Sequence, residues 1–591
     1  MDGAQNDRLA ELERKLADAE NLHRQGKLDN GGLAEAYNNL GFFFLQAESH
    51  QSALAHYDKA VALAPHAFVA QGNRAAALHK LGRHDEALEA QKQSILLQPE
   101  APVLHNNLAA LLNDMGRIDE AIAAYAHAFR LKPDYHHAAF YCGRCLLLSG
   151  RYEQGFELYE RRKLLKEEQA GVRGYKQPDW LGETDIRGKT ILVHWEQGDG
   201  DTFQFARYIP LLEQRTGAHV IFATQRRLRH LLRSVSPSAQ YGSVDDADLK
   251  FDVHAPLMSL PRALGTTLAT IPNKVPYLSV ERPLVELWRR RIGTHGFKIA
   301  VCWQGSTAKI DIGRSFPLAM FRSLSQIPGV RLLSVQKGSG EAQIPTMPQG
   351  MRLEVMGKHF DVGPDSFLDT AAILECCDLV ITSDTAVAHL AGALARPTWM
   401  ATKFVPDWRW LMHREDSPWY PTMRLFRQTR PDDWAGVFTR IESELKTLLA
   451  RRAAPPGGSV VVVPTPRVPV SWGELIDKMT ILEIKRDKLA DPTARANVVR
   501  ELAAITREIE GTLAANAELR DLKARLRAVN EALWAVEDAI RAKEAARAFD
   551  TGFVELARQV YLRNDERGAL KRSINALLGS ELVEEKSYSK Y

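Results

Sequence analysis

Two short stretches hold residues whose types and spacing could do chemistry. Gly198-Asp199-Gly200-Asp201 follows the apolar run ILVH and leads into a segment with Phe205, Tyr208, Leu211 and Leu212 at helical spacing. A glycine-rich loop between a strand and a helix can cradle a phosphate, but two aspartates would repel one. A carboxylate in such a crevice is better suited to taking a proton from an acceptor hydroxyl. Asp201 or Thr202 at this spacing also fits a plain helix cap. The second stretch, Ser383-Asp384-Thr385, follows the apolar run LVIT and opens the segment AVAHLAGALA. A helix that starts at the carboxyl end of a strand offers backbone N–H groups and a favourable dipole to an anion. Thr385 and the backbone near Ala386 are therefore expected phosphate contacts, with helix capping as a compatible second role. His389, one turn further on, could orient that site or its ligand, or it could be a packed core residue. Lys309, Arg314 and Lys337 are the cations available to a leaving phosphate, and the arginine fork matches phosphate oxygens best. Trp408, Trp410, Trp419 and Tyr420 either wall such a cleft or pack between lobes.

These residues need a frame. From Lys189 the order strand, glycine turn, helix, strand (HVIFA) is a βαβ unit with a parallel sheet. Further strands are expected in KIAVCWQG from Lys298, in VRLLSVQKG (Val330 to Gly338) and at LVIT. The pattern divides into two Rossmann-like halves over 178–285 and 286–450, so the fold class is α plus α/β, multidomain.

Ahead of them lies a repeat. Pro65, Pro99 and Pro133 are 34 residues apart, as are Ala53, Ala87 and Ala121, and Tyr57, Gln91 and Tyr125. This period, with Tyr37, Leu40, Gly41 and Phe44 in the first copy, resembles the tetratricopeptide repeat, a helix-turn-helix unit that stacks into an α-solenoid. The repeats are expected over 34–165, behind an N-terminal helix over 1–33. A fourth, weaker copy carries Cys142, Gly143, Gly150, Gly155 and Tyr159. Asn38, Asn39, Asn73, Arg74, Asn106 and Asn107 fall on the face that would line the concave groove, where side-chain amides suit an extended polypeptide. A solvated face with no ligand is the alternative.

The body resembles GT-B glycosyltransferases related to bacterial heptosyltransferases. The resemblance rests on Glu196 to Thr202 with Gln204-Phe205, Arg314-Ser315, Gln336-Lys337-Gly338, Ser383-Asp384-Thr385 with Ala388-His389, and the segment from Pro406-Asp407-Trp408-Arg409-Trp410 to Pro421. It implies that Asp201 is the general base and that 178–285 is the acceptor lobe. It also implies that Arg314, Lys337, Ser383, Asp384 and Thr385 hold a nucleotide-sugar in the second lobe, with His389 assisting catalysis. It implies no cofactor beyond that co-substrate and no metal. The repeat-plus-GT-B layout implies a protein acceptor glycosylated on serine or threonine, flagellin being the specific expectation. Transfer to lipopolysaccharide or another glycan, and a non-catalytic scaffold, are the alternatives.

The chain is 591 residues long, enough for several domains, and its net charge of +4 (77 basic, 73 acidic side chains) gives no sign of nucleic-acid binding. No membrane span and no secretory leader are expected, and the five cysteines are too few and too oddly placed for a disulfide framework, so the cytoplasm is the expected compartment. Cys142 and Cys145 form one CxxC without a partner pair, expected as small core residues rather than a zinc site. A proline- and glycine-rich linker (451–468) leads to a helical domain over 469–591 that carries Leu475, Met479 and Leu482, then Leu522, Leu526, Val529 and Leu533, at helical spacing. It resembles an uncharacterised bacterial helical domain, and the default role is a dimerising or partner-binding coiled coil.

Overall fold

The computed structural model describes residues 3–165, 174–246, 249–306, 313–453, 470–489, 491–546, 548–580 and 582. Lys309 lies outside them. The chain forms two compact units, 1–454 and 455–591.

The first unit opens with α1 (Gly3–Arg24) and four helix pairs. These are α2/α3 (Asn30–Gln46, His50–Leu63), α4/α5 (Phe68–Lys80, His84–Leu97), α6/α7 (Pro102–Asp114, Ile118–Leu131) and α8/α9 (His136–Leu148, Tyr152–Tyr159). The spacing of 34 reflects contact between paired helices. A Cβ on Gly41 would stand 2.8 Å from the Tyr57 ring, and one on Gly143 2.9 Å from the Tyr159 backbone nitrogen. Ala53, Ala87 and Ala121 are fully buried between helices. α2 begins four residues ahead of the boundary expected at 34, because Asp29 accepts the Gly32 N–H (2.8 Å) and caps it there. α1 packs on it through Ala19, Leu33, Ala34 and Tyr37, and so extends the stack.

The first lobe holds β1 (Thr190–His194), α10 (Asp199–Phe205), α11 (Tyr208–Thr216), β2 (His219–Ala223), α12 (Arg229–Leu232), β3 (Gln240–Gly242), β4 (Val253–Pro256) and α13 (Leu260–Ala263). Its parallel sheet runs β3-β2-β1-β4. Next comes α14 (Arg282–Ile292), whose Trp288 indole N–H donates to Asp369 in the second lobe (2.7 Å). The lobe boundary expected at 285 thus falls within a helix that packs on the second lobe.

The second lobe contains β5 (Phe297–Cys302), α15 (Arg322–Ser325), β6 (Val330–Ser334), β7 (Glu354–Val355), α16 (Leu368–Cys376), β8 (Leu379–Thr382), α17 (Ala386–Ala393), β9 (Thr398–Thr402), β10 (Met423–Arg427) and α18 (Trp434–Ala453). All six strands are parallel, in the order β10-β9-β8-β5-β6-β7. Strand order reverses between β5 and β8, and between β1 and β4 in the first lobe. The carboxyl ends of strands at such reversals open a crevice for ligands. Gly198–Asp201 lies just beyond the end of β1, and Ser383–Thr385 just beyond β8.

The core does not stop where the repeats end. One continuous cluster of buried side chains runs from Ala53 through Phe140, Tyr152 and Phe156 into Phe205, Ile209, Trp408 and Trp419 of the two lobes. A second cluster, with Ile299, Phe316, Phe438 and Leu445, fills the other face of the β5–β10 sheet beneath α18.

The second unit contains α19 (Trp472–Lys488), α20 (Pro492–Ala515), α21 (Ala517–Ala545) and α22 (Thr551–Leu577) around Ile476, Leu482, Leu519, Leu526 and Ile574. The buried Asp477 accepts from Arg567 (Nε, 2.9 Å) and from Asn530 Nδ2 (2.8 Å). A buried charge held this way is paired and hydrogen-bonded, as burial requires.

Candidate active site

Asp201 occupies the third position of α10, and its carboxylate works in two directions. One oxygen accepts the Gly198 N–H (2.9 Å), capping the helix; the other accepts from Arg409 Nη2 (2.5 Å). The capping and charged roles read from the sequence therefore coexist. Arg409, 8% exposed, also donates to Asp407 Oδ1 (2.7 Å) and Gln204 Oε1 (2.6 Å) and lies over the Trp408 ring. Burial pushes the Asp201 carboxyl above the usual carboxylate range, against the pull of Arg409 and Arg314. Asp199 is turned away, held bidentately by Arg227 (2.8 and 3.0 Å), which anchors the loop to the segment after β2.

The second lobe meets this loop at the start of α17. A Cβ on Gly200 would stand 2.8 Å from His389 Cδ2 and 3.3 Å from Ala386 Cα, so only glycine lets the two helix starts touch. Arg314 joins them: the position of a Cβ on Gly305 is 3.1 Å from Arg314 Nη2 and 3.5 Å from Thr385 Cγ2. Gln336 fixes the loop that carries Gly305. Its Oε1 accepts the Trp303 and Gln304 N–H groups (3.0 Å each), and its Nε2 donates to Gln304 O (2.8 Å) and Lys337 O (2.7 Å).

The structure thus brings Asp201, Arg314, Thr385, Asp384 and His389 to one crevice, but several of the expected contacts take other roles. The Ser383 hydroxyl is fully buried and has no hydrogen-bond partner among the described residues. The Thr385 hydroxyl faces inward, 3.2 Å from Thr382 Oγ1 and 3.8 Å from Cys302 Sγ, which leaves the helix backbone to meet an anion. Lys337 extends to the Phe360 carbonyl (3.2 Å). His389 is a wall: its Nδ1 is 3.0 Å from Tyr420 Oη and its ring stacks on Trp410 at 5.3 Å. Burial, then Arg409, hold it well below the ordinary histidine pKa. Asp384 is raised to about 6 by burial and by Asp407, and the nearby Trp410 N–H favours its charged form. Burial works against the charge on Asp407, yet Arg409 and Arg144 hold that carboxyl at about 2.

Trp408, Trp410, Trp419 and Tyr420 are all buried to 2% exposure or less; Trp408 and Trp419 pack on Phe205 of the first lobe, and Trp410 packs on His389 and Tyr420 within the second. The residues that sequence reasoning missed are Asp407, Arg409 and Arg144. The first two sit within a quoted motif whose tryptophans drew attention, and alternation of charge with indole was the available signal. Arg144, on α8, gave none.

In the repeats, Asn73 Nδ2 on α4 donates to Asn38 Oδ1 on α2 (2.9 Å), so amides from the first helices of neighbouring repeats meet, and Asn39 is exposed beside them. Asn106 Nδ2 reaches Asn107 Oδ1 at 3.5 Å, and Asn106 Oδ1 is buried without a partner. Arg74 is not part of this row; it turns to α3 and pairs with Asp58 (2.6 Å). Cys142 and Cys145 are buried, and burial pushes both thiols up to about 12. Among the described residues no helix is long and apolar enough to cross a membrane.

Comparison with known proteins fits this arrangement. Residues 32–99 and 103–135 match tetratricopeptide repeat models, and 319–399 match glycosyltransferase family 9 (heptosyltransferase). Protein FlbA of Caulobacter vibrioides is 26% identical over 330 residues, covering 52% of this chain and 54% of that protein. The chain thus spans about half the length of the curated relative it matches. Among solved structures, E. coli ADP-heptose lipopolysaccharide heptosyltransferase II is 13% identical, with 44% of this chain and 99% of that one covered and a TM-score of 0.34. YrrB, a tetratricopeptide protein with an unusual peptide-binding site, is 21% identical over 23% of this chain and 71% of its own, with a TM-score of 0.21. By the family matches, the chain joins tetratricopeptide repeats to a body similar to family 9 glycosyltransferases (heptosyltransferases), and a helical region follows.

Proposed function

We propose that this chain is a cytoplasmic GT-B enzyme that moves a sugar from a nucleotide-sugar to a serine or threonine of a polypeptide held by the repeats, with flagellin the first candidate. The observation that carries the reading is the meeting of Asp201 with the start of α17 and Arg314 across Gly200. Asp201 takes the proton from the acceptor hydroxyl, whose oxygen bonds to the anomeric carbon as that carbon's bond to the phosphate breaks. The departing charge goes to Arg314 and to the backbone at the start of α17. An acidic side chain set opposite a cation and a helix start supplies both halves of that displacement, and His389 and Trp410 wall the crevice. The protein acceptor is favoured over a glycan by the row of amides, flanked by exposed Val69 and Val103 on the same helices, a surface that fits an extended chain.

The test is mass spectrometry of flagellin and lipopolysaccharide from a deletion strain, complemented with native protein or with Asp201→Asn. Flagellin that loses glycan on deletion and regains it only with the native protein supports the reading. Unchanged flagellin with truncated lipopolysaccharide replaces it with transfer to a glycan, and no change in either points to a scaffold.

A further inference from the structure

Arg144 lies on α8, the first helix of the fourth repeat. Counting back in steps of 34, it falls on the positions of Ala110, Ala76 and Phe42, beside the row of Asn107, Asn73 and Asn39, whose fourth member is the exposed Tyr141. Its side chain, 39% exposed, rests over the rings of Phe140 and Tyr141. Its Nη2 reaches Asp407 Oδ2 at 3.4 Å. Asp407 Oδ1 accepts from Arg409 (2.7 Å), and Arg409 donates to Asp201 (2.5 Å). An unbroken chain of alternating charges thus runs from the groove to the carboxylate in the crevice.

We infer that Arg144 is a positioning residue of the repeat array that sets, through Asp407 and Arg409, the placement and charge of Asp201. The inference rests on the reading of Asp201 as the base. The physical reason is sharing. Among the described residues, Arg409 is the one guanidinium hydrogen-bonded to both Asp407 and Asp201, and Arg144 supplies a second positive charge on Asp407. Without it Arg409 must neutralise Asp407 alone and is drawn from Asp201, which then binds a proton more readily. The other charged or titratable groups nearby are Arg314 from the 313–315 turn and Tyr159 from α9, with Asp384 and His389 from the α17 region; Tyr159 also feels the charge of Arg144 directly, and Asp384 and His389 feel Asp407 and Arg409. An acidic side chain on a groove-bound polypeptide would compete with Asp407 for Arg144, so groove occupancy is felt at the base.

The experiment is an infrared pH titration of the full chain, following the protonated-carboxyl band as the difference between each protein and its Asp201→Asn counterpart. Arg144→Gln is expected to raise the Asp201 midpoint by roughly half a pH unit or more, as loss of a nearby unit charge in a low-dielectric site should. Arg144→Lys should restore it at least in part, and in an Asp407→Asn background Arg144→Gln should have no effect. A titration of Arg144→Gln that overlays the native one overturns the inference, as does a shift that persists without Asp407. Neither readout uses a substrate. If Asp201→Asn transfers sugar at the native rate while Arg144→Gln still shifts the titration, the reading of the base fails and the linkage stands.

Discussion

Gly200 and His389 approach so closely that a methyl group on the glycine would lie 2.8 Å from the imidazole Cδ2. This contact joins the two lobes at the point where strand order reverses in each. Gly200→Ala should force the helix starts apart, costing about 1–3 kcal/mol of stability as overpacking does. A denaturant midpoint checks the stability, and glycan occupancy of the acceptor should fall with it. A native-like midpoint would mean that the contact relaxes freely.

Asp201→Asn keeps the size of the side chain and its cap on Gly198 but removes the carboxylate proposed as the base. Turnover is expected to fall by roughly 10²–10⁴, the range for loss of a general base, with KM for the acceptor little changed. Steady-state kinetics on the acceptor identified by mass spectrometry would separate kcat from KM.

Arg314→Lys retains a charge but loses the fork. Nucleotide affinity should drop about tenfold, or ~1.4 kcal/mol, as measured by calorimetry with a panel of nucleoside diphosphates. Lys337→Ala, whose ammonium reaches the Phe360 carbonyl, should bind as the native protein does.

His389 gives a pH signature. Its folded pKa lies well below the 6.5 of an ordinary histidine, so between the two values the unfolded chain carries a proton that the folded one lacks. Its contribution to stability is therefore full above 6.5 and declines as pH falls. Asp384, raised from 3.8 to about 6, works in the opposite sense, weakening the fold as pH rises between those values. Thermal melts of His389→Gln should show a shallower loss on acidification than the native protein, and Asp384→Asn a steeper one.

The repeats divide unequally. Tyr152 stacks on Trp419 (6.1 Å), and Phe156 and Tyr159 pack edge-on against Trp408. Arg162, just past α9, is buried against Glu196 of the first-lobe loop (2.8 Å). Deleting residues 1–165, which a detachable arm would tolerate, should leave an insoluble body. Removing 1–99 should leave a folded protein that still binds nucleotide. Expression yield and calorimetry distinguish the two.

Much of this could be read from the residues. The proline and alanine spacing disclosed the repeats because each copy meets the same packing demand, and HVIFA and LVIT became strands because continuous apolar runs suit sheets covered on both faces. Asp201 and Thr385 stood out because each begins a helix just beyond a strand. What stayed hidden depends on contacts distant in sequence. Nothing local marks Arg409 as the partner of a residue 208 positions earlier, or Arg144 as the partner of Asp407. Ser383 looked like a ligand contact because burial of its hydroxyl is decided by the neighbouring strands, not by its own motif. β3 and β7 have three and two residues, too few for any period to show.

If the repeats hold the acceptor as proposed, the unbroken core between the fourth repeat and the lobes bears on how new acceptors could be acquired. Recognition here cannot be exchanged like a cartridge, because the last helix pair belongs to the engine. Variation can accumulate at the far end of the stack, in α1 to α5, without disturbing the crevice. An engineer seeking another client protein should graft there and leave α8 and α9 untouched.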